Sequence, residues 1–120
     1  MNGILDFTKW LEENIRCFDA ETTRLHQDDK HDEAAFAAII KNVYDICKTV
    51  LNVFQKQTAA PEVLHDRYTQ KLQELTNQWS SAMQRTQEFQ DWKNSHVEQL
   101  KLEHITRIQT QFQKYTEAQS

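Results

Sequence analysis

Glycine and proline are almost missing from this 120-residue chain: there is one of each, Gly3 and Pro61. These are the residues that end helices most reliably, glycine through backbone entropy and proline through its lost N–H and ring clash. Their scarcity leaves two long arms, 4–57 and 62–119, without a strong breaker. Long apolar runs are also lacking. The longest, Ala34 to Ile40, falls far short of the ~20 residues that a membrane span requires. The first residues carry no basic lead-in, and Asp6 and Glu12 interrupt any apolar region there, so no secretory leader is expected. Cys17 and Cys47 are the only cysteines and have no metal-ligand spacing, which points to a cytoplasmic protein with reduced thiols.

Excess positive charge is another absence. The formal net charge is −4, and no two of the fourteen Lys and Arg residues are adjacent. Phosphate-backbone binding needs a basic patch, so nucleic acid is not expected as a partner. Apolar residues are limited to 38%, which favours an elongated bundle over a sphere.

What is present is helical periodicity. With residues placed at ~100° intervals, Ile4, Phe7, Leu11, Ile15, Phe18 and Leu25 share one sector. Phe36, Ile40, Val43, Cys47, Val50, Leu51 and Phe54 fall in the same sector, across a polar interval from His26 to Glu33. In the second arm a stripe about 160° wide holds Leu64, Tyr68, Leu72, Leu75, Trp79, Met83, Phe89, Val97, Leu100, Ile105, Ile108, Phe112 and Tyr115. Trp92 lies off that stripe, and Thr86 and Lys93 give this arm a polar middle too. Pro61 suits a helix's first turn with Thr58 as a candidate N-cap, so the arms double back there.

The acidic segment Asp28–Asp29–Asp32 suits a helix start better than a helix interior, whereas the second arm keeps its phase throughout. The expected fold is therefore all-α: an antiparallel, coiled-coil-like bundle of three long helices at about 4–27, 30–57 and 61–118. A kink in the third is the variant that gives four. With two helices on half of a long third, an apolar stripe would stay in water at ~25 cal/mol per Å². Self-association as a homodimer, or a third helix that folds back, removes that exposure.

Candidate chemistry is sparse. His26, Asp28, Asp29 and His31 are side chains of metal-binding type, but a charged run between helices is usually a solvated turn. Glu62-x-x-His65 occurs once, where a di-iron bundle needs two such motifs and two further carboxylates. His104 falls on the apolar stripe and reads as a hydrogen-bonded boundary residue. Neither cysteine has a neighbouring histidine to activate it, and both read as packing thiols. With a single glycine there is no phosphate-cradling loop. No cofactor and no catalytic residue are expected. The Gln- and Thr-rich outer face gives no membrane-binding surface.

The functional expectation is a non-enzymatic bundle acting through protein–protein contacts, as an adaptor, chaperone-like or structural accessory. Its interface is expected at Phe89, Trp92, Val97, Leu100, Ile108 and Phe112. The alternative is a metal- or ligand-binding bundle centred on the His/Asp cluster between the first two helices.

Overall fold

A computed structural model describes residues 3–117, which form four α-helices and no strand. They are α1 (Gly3–Gln27), α2 (His31–Gln57), α3 (Pro61–Glu88) and α4 (Trp92–Glu117). Both arms turn back at their polar middles, giving two helical hairpins, α1–α2 and α3–α4. The helix expected to run on from 61 to 118 is thus divided into two, as in the four-helix variant, and the fold-back covers much of the stripe that a three-helix arrangement would leave wet.

The division has a local cause that the search for glycine misses. Gln90 takes a left-handed backbone (φ 56°), and the Asp91 and Gln90 N–H groups donate to the carbonyls of Thr86 and Gln87. That pattern is a Schellman cap, normally built on glycine. Asp91 then caps α4: its carboxylate accepts from the Asn94 N–H (3.4 Å) and side-chain amide (2.6 Å). The α1–α2 turn repeats the device, with Asp29 at φ 59° and Lys30 N–H donating to the Leu25 carbonyl at 2.8 Å. Aspartate tolerates this conformation through its short polar side chain.

Between the hairpins the chain needs only Thr58–Ala60. Thr58 is extended (φ −146°, ψ 140°), and Ala60, not Thr58, is the N-cap ahead of Pro61. The Thr58 hydroxyl instead accepts from the Ala60 N–H at 3.2 Å. Each helix thus packs on its chain neighbours and α1 on α4, with the α2–α4 diagonal close and α1–α3 far. Only side chains bridge the far diagonal, where Phe7 meets the Tyr68 ring edge-on at 6.0 Å.

The main core occupies the half of the bundle near the α2–α3 turn. Phe7 and Leu11 meet Val43, Cys47, Leu51, Tyr68, Leu72, Ile105, Ile108 and Phe112 there, all buried. The Tyr68 hydroxyl donates to the Cys47 carbonyl at 2.8 Å, so the polar end of a buried ring is satisfied. The opposite half is thinner. A second small cluster, Leu25, Ala34 and Ala37, seals the α1–α2 hairpin at the far pole. At 45 × 35 × 23 Å the molecule is longer than it is thick.

Candidate functional site

The far pole combines the two Schellman turns, and they differ in character. The α1–α2 turn is charged: Arg24 pairs with Glu21 (2.6 Å) and Asp28 (3.3 Å). The α3–α4 turn is aromatic. Phe89 is 82% exposed and Trp92 64% exposed, the largest exposures among the big apolar side chains described. Local chemistry explains why they point out. Phe89 is the C-cap residue of α3, and Trp92 opens α4 directly after the capping Asp91, so neither lies on a face packed inside the chain.

The expected interface set divides. Phe89 and Trp92 are free for contact, and Val97 and Leu100 are half-buried. Ile108 and Phe112 belong to the chain's own core: the Phe112 ring packs against Phe7 at 5.1 Å and Tyr68 at 4.8 Å. Both are buried within this chain, because α4 folds back instead of extending α3. Cys17, expected as a packing thiol, is exposed, whereas Cys47 is buried and its thiol is pushed up to about 12 by burial.

The metal candidates do not converge. His26 and His31 face each other through their Nδ1 atoms at 2.8 Å, and His31 lies 3.6 Å from Asp29. Asp28 is turned away to Arg24. Among the described residues no group of three or more His, Cys, Asp or Glu side chains is placed to hold a metal ion. Glu62 is exposed, while His65 stacks on Phe112 at 5.1 Å. No described helix is long and apolar enough to cross a membrane.

One polar network lies at the edge of the bundle where α1, α2 and α4 meet, with Tyr44 buried, Asn14 and His104 half-buried and Arg107 exposed. Arg107 Nη1 donates to the Tyr44 hydroxyl (2.8 Å) and to Asn14 Oδ1 (3.0 Å). The same hydroxyl lies 2.8 Å from His104 Nδ1. Arginine can only donate, so the phenol proton is best used toward an unprotonated Nδ1, which makes His104 neutral. Burial and the Arg107 charge both hold His104 below the ordinary histidine value, with Glu103 opposing them. Burial also raises the Tyr44 phenol. The guanidinium lies over Trp10 at 5.1 Å, and Phe18 stacks on Tyr44 at 5.6 Å.

This network ties side chains of α1, α2 and α4 to one another through the Tyr44 hydroxyl and the Arg107 guanidinium. Sequence reading found His104 as a boundary residue and missed Arg107 and Asn14. The available signal was Arg107 three residues after His104, one turn along the same side of the helix.

A second polar pair, Glu98 and Lys101, lies between α3 and α4. Lys101 Nζ sits 4.9 Å above the Trp79 ring and 3.2 Å from Glu98 Oε2, which receives no well-aligned hydrogen bond. Trp79 thus packs against the core from its partly buried position and carries the Lys101 cation over its ring. Comparison with known protein families, curated proteins and solved structures finds no match for this chain.

Proposed function

We propose that this chain is a non-enzymatic interaction protein, and that it meets its partner through the aromatic pole formed by Phe89 and Trp92. The observation that carries this reading is the exposure of two large aromatic rings on one capped turn, 82% and 64%. Such rings cost solvation free energy when left in water, and aromatic anchors dominate the energetics of protein interfaces. The turn that presents them is fixed by the Gln90 and Asp91 hydrogen bonds, so little ordering entropy is lost on contact. A protein partner fits the mixed charge of the segment: Arg85, Glu88, Asp91 and Lys93 flank the rings along the chain, and neither sign dominates.

The test places a photoreactive phenylalanine analogue at position 89 and irradiates the host cell. A discrete adduct, absent when Trp92→Ser is added and absent with the probe at exposed Gln70, supports the reading. Equal labelling from positions 89 and 70 refutes it. An adduct of twice the chain mass identifies the partner as another copy.

A further inference from the structure

The outer face of α2 carries a second pattern that the bundle does not use. Asp32, Ile39, Ile46 and Val53 recur every seventh residue, and Ala35, Asn42, Thr49 and Lys56 recur in the same register three residues later. Ile39, Ile46 and Val53 thus form a narrow apolar ridge along α2, flanked by the small or polar Ala35, Asn42 and Thr49 and closed by Asp32 at one end and Lys56 at the other, a strip that a second helix can cover with knobs-into-holes contacts. All eight side chains face outward. Ile39 is half-buried and the others exposed, with Ile46 at 40% and Val53 at 44%. Elsewhere α2 is engaged: Lys41 and Lys48 pair with Asp19 and Glu12 of α1, and Val43, Cys47 and Leu51 fill the core.

We infer that this face is the seam of an antiparallel homodimer, α2 against α2 of a second copy. The charges choose both orientation and register. In an antiparallel seam, first-position residues pack against third-spaced residues of the partner helix. The register that sets Asp32 against the partner copy's Lys56 also sets Val53 against Ala35, Ile39 against Thr49 and Ile46 against Asn42. Both ends are then closed by opposite charges. A parallel seam sets Asp32 against Asp32 and Lys56 against Lys56. Shifting the antiparallel register by one heptad sets Lys56 against Ile39 in one direction, and in the other sets Asp32 against Thr49 and leaves Val53 without a facing residue. Among the described residues neither Asp32 nor Lys56 has an ion-pair partner within its own chain.

From Asp32 to Lys56 the strip runs about 36 Å at 1.5 Å per residue, and one helix width makes it roughly 400 Å² per copy. That is about half of a standard interface, which places the contact in the weak, transient class. The seam is separate from the aromatic pole: Phe89→Ser with Trp92→Ser leaves it intact, so the two proposals fail independently.

The test is oxidative cross-linking in a Cys17→Ser background, with sedimentation equilibrium alongside. Asp32→Cys combined with Lys56→Cys yields covalent dimer, because the two positions meet across the seam yet lie about 36 Å apart within one chain. Either cysteine alone yields none. Ile46→Asp raises the dissociation constant at least about tenfold, since it buries a charge in the seam. Asp32→Lys weakens association, and adding Lys56→Asp restores it. Cross-linking from Asp32→Cys alone shows a parallel seam and overturns the proposal. So does a chain that stays monomeric at about 500 µM, a concentration at which even a weak pair of about 100 µM affinity would be mostly dimeric.

Discussion

Removing the Tyr44 hydroxyl tests the claim that one polar network, anchored on a buried ring and open to solvent at Arg107, fixes how the two hairpins dock. Tyr44 is fully buried, and its oxygen joins Arg107 of α4 at 2.8 Å and His104 of α4 at 2.8 Å. Tyr44→Phe keeps the ring against Phe18 and Trp10, so packing is nearly unchanged and only polar terms are lost. The bond from a charged guanidinium contributes about 1.5–3 kcal/mol and a neutral one about 0.5–1.5 kcal/mol. Arg107 keeps Asn14 and water as alternatives, which reduces its share; His104 Nδ1 keeps no other protein partner. The net loss is about 2–3 kcal/mol. At roughly 2.1 cal/mol/K per residue, a chain of this length loses about 4 °C per kcal/mol, so Tm falls by about 8–12 °C. Thermal and urea denaturation followed by circular dichroism measure it. A change below about 0.5 kcal/mol, within the scatter of surface substitutions, refutes the reasoning, because the network would then be ornament on a core that docks without it.

Three further outcomes follow from the same structure. His104 is held below its ordinary value of 6.5 chiefly by burial, so the unfolded chain takes up its proton first as pH drops. Stability is therefore complete above 6.5 and declines as pH falls through the lower folded-state value; urea midpoints between pH 7.5 and 5 should show this slope, flattened in His104→Gln. Gln90 carries a Cβ into a left-handed turn, so Gln90→Gly should stabilise the fold by about 1 kcal/mol in urea denaturation. In the native state a thiol reagent at pH 8 should modify Cys17 within its mixing and reaction time and leave Cys47 untouched until denaturant is added.

The helices were legible because their apolar spacing is regular and their charges are sorted. Phe7, Leu11, Val43, Leu51, Tyr68 and Ile105 fall on the expected faces and are buried. The break in the second arm was hidden because its signal is a side-chain cap, Asp91 on Asn94, behind a residue that rarely adopts the required backbone. Nothing in the 3.6-residue phase marks it, because the turn spans only Phe89–Asp91 and both flanking stripes keep their apolar spacing. The burial of Ile108 and Phe112 follows from that one hidden turn. Phe89 and Trp92 were legible for opposite reasons: Trp92 is off the stripe, whereas Phe89 is on it and exposed only because the helix stops there. The Tyr44–Arg107 contact joins positions far apart in the chain, and no local pattern encodes such a meeting.

Placing Phe7 beside Phe112 has a practical corollary: the two extremities of the described chain sit next to one another. A short peptide could splice them, and new ends could then be opened at Asp29, where the backbone already bends and where the Phe89–Trp92 turn is left intact. Appendages fused at the spliced pole would stand at the far side of the molecule from Phe89 and Trp92, leaving those rings unobstructed.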